Sequence, residues 1–257
     1  MPQTSLSLDK RGPVACLTLR RPALDPAALR ELPEACAAIA DDAAVRVALL
    51  TGAGDVFCAG WDWPALLGEG RDPLEAARLH GLLDHPFGCL AELRKPVVCA
   101  VNGDALGAGL ALALACDVRV ADEGACFGLP EIETGLLPMA GATQRLARLV
   151  GRGKALEMLL TGEPVGAQEA LRIGLVSTVA PAGKSLAAAE AIAGRIAERG
   201  PIAVQYAKEA VLRGIELPLE QALRFETDLT VILQTTEDRA EGVRAFLEKR
   251  KPEFKGR

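Results

Sequence analysis

The segment Val101–Pro138 reads VNGDALGAGLALALACDVRVADEGACFGLPEIETGLLP. It leaves an apolar strand pattern, passes through the small-residue turn Leu106–Gly109 and continues as an apolar helix pattern. Two short strand-like runs follow, and a lone carboxylate, Glu131, then comes directly after a proline. The alternation of strand and helix patterns predicts an α/β fold. The turn and the carboxylate are the first candidates for a functional site.

The composition fits one folded protein with a sizeable core. The chain has 257 residues, of which 50% are hydrophobic and only 4% aromatic. A net charge of −5 without a long basic run argues against a nucleic-acid partner. The opening MPQTSLSLDKRG lacks the regions of a signal peptide, and no apolar run is long enough to span a membrane. We therefore expect a cytoplasmic protein with no membrane partner.

The metal-binding residue types do not form a ligand set. The seven cysteines lie in apolar stretches without a CxxC pair, and we interpret them as reduced core residues. His80 and His85 have no cysteine or carboxylate at ligand spacing. The sequence therefore predicts no metal site and no disulfide.

Strand and helix patterns alternate through most of the chain, and helix patterns alone fill its end. Strands are predicted at Ser5–Leu8, Val14–Leu19, Val45–Leu50, Pro96–Val101, Val118–Ala121 and Cys126–Gly128. Helices are predicted at Pro26–Ala40, Pro73–Leu93, Gly107–Ala115, Ala142–Leu149, Lys154–Leu160, Leu186–Arg199, Ile202–Leu212, Leu219–Leu233 and Glu237–Lys249. Asp9–Gly12 is expected to form the first turn, and Pro33 implies a late start or a kink in the first helix. The helical end is expected to pack on another subunit.

Two small-residue turns can present backbone N–H groups to a ligand. One is Phe57–Asp62, where a buried strand gives way to small residues and an aspartate that can cap a short helix. The other is Leu106–Gly109, which leads into an apolar helix whose first N–H groups are unpaired. Two such groups directed at one carbonyl oxygen would form an oxyanion hole. Plain helix packing would explain the second turn equally well, and neither a dinucleotide fingerprint nor a phosphate loop is present.

Glu131 is a candidate general base. The preceding residues Cys126–Pro130 are mostly apolar, and apolar surroundings raise the pKa of a carboxyl toward the value that a base needs near neutral pH. A solvated loop glutamate is the alternative interpretation. Trp61 and Trp63 flank Asp62 and are expected to form a pocket wall.

An ordered set of motifs resembles the crotonase family, the enoyl-CoA hydratases and isomerases. The resemblance covers nearly the whole chain. The motifs are Phe57-Cys58-Ala59-Gly60-x-Asp62, Lys95-Pro96-Val97-x-Cys99-Ala100-Val101-Asn102-Gly103, Ala115-Cys116-Asp117, Phe127-Gly128-x-Pro130-Glu131, Thr143-Gln144-Arg145-Leu146 and Glu248-Lys249-Arg250-Lys251-Pro252.

The resemblance implies an α/β superhelix of ββα turns over residues 1–195 and a C-terminal helical trimerisation region over residues 196–257. It implies an acyl-CoA thioester substrate, in fatty-acid-type metabolism, whose carbonyl oxygen lies between the backbone N–H groups of Trp61 and Ala108. No permanently bound cofactor is expected, since coenzyme A is part of the substrate. The assembly would be a homotrimer or a hexamer. Further substrate contacts would come from Ala23, Leu24, Ala59, Gly60, Asp62, Gly107, Pro130, Met139, Phe246 and Lys249, with Phe246 and Lys249 reaching coenzyme A on a neighbouring subunit.

One departure from the family pattern bears on the reaction. Hydratases of the family carry a second glutamate 20 positions before the one in the Pro-Glu motif, and here that position is Ala111. Adding water is well served by two carboxylates, whereas one base can move a proton from C2 to C4 and so shift a double bond. Isomerisation with Glu131 as single base is therefore the favoured hypothesis.

Two alternatives stay open. One is a hydratase or lyase whose second acid is displaced to Asp62, Asp84 or Glu133, and the other is a non-catalytic acyl-CoA binder. The family's dienoyl-CoA isomerases and hydroxyacyl-CoA hydrolases carry an aspartate eight residues after the glutamate, where this chain has Met139. Met139, Trp61 and Trp63 also predict a pocket that differs in shape from that of typical hydratases.

Overall fold

The fold is built around a mostly parallel sheet, in which the first two strands form an antiparallel hairpin. The computed structural model describes residues 4–68 and 72–257. The strands in this part are β1 (Leu6–Arg11), β2 (Val14–Leu19), β3 (Val47–Gly52), β4 (Val97–Val101), β5 (Ala105–Leu106), β6 (Val118–Asp122), β7 (Cys126–Gly128), β8 (Val165–Gly166) and β9 (Thr178–Ala180). Six of them form one sheet in the order β1-β2-β3-β4-β6-β9. Only the β1–β2 pair of that sheet is antiparallel.

Strand β3 shows why the sheet is central. All six of its residues are buried, as expected for a parallel strand covered on both faces. Val47 and Leu49 face a cluster with the alanines of a helix at Ser185–Ala197, whereas Ala48 and Leu50 belong to the main core. This alternation along the strand puts the sheet between two apolar layers.

A second, three-stranded sheet in the order β5-β7-β8 lies next to the turn at Gly107. Ala105 pairs with Phe127 and Leu106 with Gly128 in parallel register. Because β5 ends where the next helix begins, the small sheet fixes the start of that helix beside the segment that carries Glu131.

The helices surround the sheet and then extend beyond it. Those described are α1 (Pro26–Asp41), α2 (Trp63–Leu67), α3 (Pro73–Leu79), α4 (Gly88–Ala91), α5 (Ala108–Leu114), α6 (Ala142–Val150), α7 (Arg152–Thr161), α8 (Ala167–Arg172), α9 (Ser185–Ala197), α10 (Pro201–Gly214), α11 (Leu219–Leu233) and α12 (Glu237–Leu247), with a 3-10 helix at Pro130–Thr134. The α/β core and the helical end predicted from the sequence are confirmed. No helix in the described ranges is long and apolar enough to cross a bilayer.

Two local predictions near the start of the chain are wrong. The first turn lies at Gly12–Pro13 rather than Asp9–Gly12, because β1 continues through the polar residues up to Arg11. Lys10 and Arg11 lie in an edge strand, where charged side chains oppose pairing with other chains, and they form ion pairs with Asp42 and Glu190.

Helix α1 begins at Pro26 despite Pro33 in its interior, so of the two expected effects of Pro33, a late start or a kink, the late start is wrong. A proline is well tolerated at a helix start, and the Asp25 carboxylate caps the helix by accepting a hydrogen bond from Ala28 N at 2.8 Å.

The segment expected to be mostly helical at Pro73–Leu93 contains the two short helices α3 and α4 with turns between them. His85 interrupts the pattern with a φ of 53°. It precedes Pro86, and a residue before proline is disfavoured in the helical region.

Candidate active site

The Cys58–Asp62 turn is joined to two other parts of the chain by backbone hydrogen bonds. Cys58 N donates to Asp104 O at 2.9 Å, and Leu106 N donates to Cys58 O at 2.9 Å. On the other side, Leu24 N donates to Gly60 O at 2.8 Å, and Asp62 N donates to Leu24 O at 2.9 Å. Leu24 and Gly60, both predicted as substrate contacts, are therefore in direct contact, although they are far apart in sequence.

The two candidate oxyanion donors lie on adjacent segments. A methyl group built on Gly60 would lie 3.7 Å from Ala108 N, so the residue before Trp61 borders the first residue of α5. Within the described part of the chain, neither Trp61 N nor Ala108 N donates a hydrogen bond to a protein acceptor. The structure thus has two backbone N–H groups without a protein acceptor on neighbouring segments.

Gly107 shapes the entry into α5. Its φ of 52° belongs to the left-handed region that glycine adopts readily, and its N–H donates to Gly128 O at 2.9 Å. Ala108 then opens the helix, where the first N–H groups have no partner within the helix. The positive end of the helix dipole adds to the attraction for an oxygen that gains negative charge.

The Glu131 carboxylate lies against Gly107. A methyl group built on Gly107 would lie 2.7 Å from Glu131 Oε1, so the absence of a side chain there leaves room for the carboxylate. Oε2 is buried and has no hydrogen-bond partner among the residues described. Burial raises the pKa of the Glu131 carboxyl, because desolvation penalises its charged form. A buried carboxylate without a partner is typical of a group that exchanges protons with a ligand.

Position 111 lies one helical turn after Gly107 on the same helix. Ala111 N donates to Gly107 O at 3.0 Å, and Ala111 has 0% of its surface exposed. The position that the family resemblance assigns to a second glutamate thus carries a fully buried methyl group in the first turn of α5.

Two of the three candidates for a displaced second acid contact residues other than Gly107 and Glu131. Asp62 caps α2, accepting a hydrogen bond from Ala65 N at 3.1 Å. Glu133 lies on the exposed side of the 3-10 helix, where its Oε1 would be 3.1 Å from a methyl group built on Gly162. Asp84 is exposed in the turns between α3 and α4. Asp62 is thus a capping residue, and Glu133 lies beside Gly162 rather than beside Gly107.

An aromatic residue that the sequence analysis did not single out supports the Trp61 turn. The rings of Trp61 and Phe87 are stacked, with centroids 5.8 Å apart and an interplanar angle of 17°. Phe87 is fully buried, whereas Trp63 is half-buried against the core. The only local signal for Phe87 was a lone aromatic after a proline, which does not reveal its partner.

The remaining predicted contact residues lie at several places. Ala23 and Pro130 are half-buried, next to Leu24 and Glu131 respectively. Met139 packs against the core at a turn where Ala140 has a φ of 58°. Phe246 is 82% exposed at the end of α12, so it makes little contact with its own chain, and Lys249 follows with a φ of 54°.

The histidines and cysteines form no ligand cluster in the described residues, where no group of three or more metal-binding side chains is close enough to hold an ion. His80 Nε2 lies 3.1 Å from Leu66 O. Five of the seven cysteines are buried.

Comparison with known proteins identifies the family of this site. The sequence pattern of the enoyl-CoA hydratase/isomerase family matches residues 9–257. The chain belongs to this family. It is 43% identical to 2,3-dehydroadipyl-CoA hydratase of Escherichia coli over 99% of this chain and 100% of that protein, and 39% identical to crotonyl-CoA hydratase of Syntrophomonas wolfei over 99% of both.

Solved structures agree with the enoyl-CoA hydratase/isomerase assignment. The crystal structure of an enoyl-CoA hydratase from Bacillus anthracis is 40% identical and superposes with a TM-score of 0.93, covering 98% of this chain and all of that one. The expected crotonase-type α/β fold and the acyl-CoA enzyme class are therefore confirmed.

Proposed function

We propose that this member of the family isomerises enoyl-CoA thioesters, with Glu131 as the single base. The observation that carries the proposal is the Glu131 carboxylate beside Gly107, whose buried Oε2 has no hydrogen-bond partner among the described residues, together with Ala111 in α5 at the position of the second family glutamate. The Trp61 and Ala108 N–H groups would hold the thioester oxygen. Coenzyme A enters as part of the substrate, and the reaction consumes no other reagent.

In the proposed reaction, Glu131 is the only group that accepts and returns the migrating proton. Glu131 removes a proton from C2 of a 3-enoyl thioester, and the electron pair moves onto the thioester oxygen to form a dienolate. The two N–H groups stabilise this negative charge more than they stabilise the neutral carbonyl, which lowers the barrier. Glu131 then returns the proton to C4, so that the double bond lies between C2 and C3 and the enzyme is regenerated.

Hydration of a 2-enoyl thioester is the second candidate. It is favoured by the names of the relatives, since both curated relatives above are hydratases that match over their whole length. With one carboxylate at the site, Glu131 would have to take a proton from water as the oxygen adds to C3 and then supply the proton to C2. We group with this second candidate a lyase that would form the same enolate.

The test compares the wild-type protein and Glu131→Gln on 3-enoyl-CoA and 2-enoyl-CoA. We expect faster turnover of the 3-enoyl thioester by the wild type, and a loss of about 10²–10⁴ in kcat for the variant. Glu133→Gln is the matched control, since it removes an exposed carboxylate two residues away and should keep activity. Faster hydration than isomerisation by the wild type would favour the second candidate.

A non-catalytic acyl-CoA binder is the remaining outcome of this test. It would show saturable binding of the thioesters without turnover, and Glu131→Gln would then bind them as the wild type does. The buried position of the Glu131 carboxylate argues against this role, because burying an unpaired charge costs stability without aiding the binding of a neutral acyl chain.

We further propose a substrate surface and an assembly. Ala23, Leu24, Ala59, Gly60, Asp62, Gly107, Pro130 and Met139 would line the path of the thioester through the turns described above. Phe246 and Lys249 would contact coenzyme A held by a neighbouring subunit, which requires a trimer or a hexamer made through residues 196–257. The exposure of Phe246 supports a contact outside its own chain.

A further inference from the structure

The last residues of the chain turn back along α12 and are held there by a buried carboxylate. Asp238, only 5% exposed, accepts hydrogen bonds from Lys255 N at 2.6 Å and from Gly256 N at 2.8 Å. Its own N–H donates to Arg257 O at 3.1 Å. Hydrogen bonds to an ionised acceptor are stronger than neutral ones, and a buried carboxylate left without them is costly.

A second group of contacts ties the same segment to the core. Arg46, just before β3, donates from Nη2 to Phe254 O at 2.5 Å and from Nη1 to Ala197 O at 2.9 Å. The Phe254 ring lies where methyl groups built on Gly200 and Gly242 would be 3.6 Å and 3.5 Å away. The tail is therefore bonded both to α12 and to the edge of the α/β core.

Helix α12 needs this support, because it buries little of its own surface. Of its eleven residues only Asp238 and Ala245 are buried. A helix of this length is marginal in water without packing. Glu241 adds a two-point ion pair with Arg250, at 2.5 Å and 2.9 Å, that joins the helix to the start of the tail.

We propose that residues 250–257, called the C-terminal clamp, hold α12 so that Phe246 and Lys249 are presented to the coenzyme A part of the substrate. Asp238 and Arg46 are then positioning residues for binding, not catalytic residues. The inference rests on the proposed function, because it assumes that Phe246 and Lys249 bind coenzyme A. The left-handed backbone of Lys249, with a φ of 54°, lies at the reversal between α12 and the clamp.

The test uses Asp238→Asn in the full-length protein and two substrates with the same acyl group. One is the coenzyme A thioester, and the other is the thioester of pantetheine, which lacks the nucleotide. We expect KM for the coenzyme A thioester to rise about tenfold, as loss of one charge-assisted contact would predict, with kcat changed less than about twofold. The pantetheine thioester should show unchanged kcat and KM. Arg46→Leu should give the same pattern.

Glu237→Gln is the matched control. Glu237 is the neighbour of Asp238 on α12 and pairs with Arg257, but both side chains are about two-thirds exposed, at 66% and 65%. Removing a surface ion pair of this kind should leave KM unchanged for both thioesters. Equal losses on both thioesters in Asp238→Asn would indicate a general folding defect and overturn the positioning role.

A second measurement covers a variant that folds poorly. Hydrogen exchange of Asp238→Asn should show faster exchange at the backbone amides of residues 250–257 and α12 only. If these amides exchange faster while KM for the coenzyme A thioester stays at the wild-type value, the clamp has no part in binding. Wild-type protein that turns over neither thioester would instead refute the proposed function.

Discussion

At the scale of single residues, Glu131 depends on the absence of a side chain at Gly107. A methyl group there would lie 2.7 Å from Oε1, and the φ of 52° would add backbone strain. We expect Gly107→Ala to lower kcat/KM at least tenfold, because the carboxylate and the N–H of Ala108 would both shift. Steady-state kinetics of the purified variant would measure this.

Gly12→Ala is the control for Gly107→Ala, because it adds backbone strain without displacing the Glu131 carboxylate. Gly12 has a φ of 60° and nothing within 4 Å of an added methyl group. Gly12→Ala should lose about 1 kcal/mol of stability from its positive φ, and Gly107→Ala should lose more because its methyl group also meets Glu131, but only Gly107→Ala should lose activity. Equal activity in the two variants would contradict the placement of Glu131 beside Gly107.

The ionisation of Glu131 should affect stability with a definite sign. Its pKa is raised in the folded state, so the folded protein binds a proton more tightly than the unfolded chain does. This contribution is fully present below the unfolded pKa and is lost as the pH rises through the folded pKa. The Tm of the wild type should therefore fall relative to Glu131→Gln as the pH rises from about pH 4, near the ordinary pKa of glutamate, toward neutral pH. A constant difference in Tm across that range would show that the pKa is not raised.

At the scale of secondary-structure elements, we expect α5 to determine which of the two proposed reactions the site supports. It carries Ala108 at its first position and Ala111 one turn after Gly107. We expect Ala111→Glu to raise the ratio of hydration to isomerisation, because a second carboxylate near Glu131 would help to bind and activate water. Product analysis with 2-enoyl-CoA and 3-enoyl-CoA would measure the ratio.

Ala113→Glu is the control for burying a carboxylate in the same helix. Ala113 is also fully buried, but two residues along a helix point to a different side. This variant should lose stability without any gain in hydration. If Ala111→Glu folds and leaves the ratio unchanged, position 111 does not face the reacting atoms.

Sequence patterns predicted most elements but not the segments around Phe87. Helix α11 was predicted with its observed bounds, because its apolar spacing and flanking residues are local signals. The region Pro73–Leu93 was predicted as mostly one helix, since its apolar residues continue through the turns. The turns allow Phe87 to stack on Trp61, and this contact depends on tertiary packing.

At the scale of the whole molecule, apolar side chains remain exposed along the helical end of the chain. Val211 and Ile215, on and after α10, are 66% and 70% exposed, and we propose that another subunit covers this apolar surface. We expect light scattering to give about three or six times the mass of the 26.9 kDa chain. The double variant Val211→Asp and Ile215→Asp should shift the mass toward one subunit.

Leu8→Asp tests whether any exposed leucine has this effect. Leu8 is 40% exposed in strand β1, far along the chain from the helical end, and its replacement should leave the assembly intact. A wild-type protein with the mass of one subunit would refute the proposed assembly and, with it, the contribution of Phe246 and Lys249 from a neighbour.

Local sequence patterns are enough to predict the α/β class, the helical end and the candidate Glu131, and family motifs point to Trp61 and Ala108, because strand and helix periods, turn residues and motifs are properties of short segments. Which segments meet depends on tertiary contacts. The tertiary structure placed the turn at Gly60 against Ala108, Glu131 against Gly107, and Glu133 beside Gly162. It also bonded the end of the chain to Asp238 and Arg46. These contacts join residues distant in sequence, so no local pattern records them.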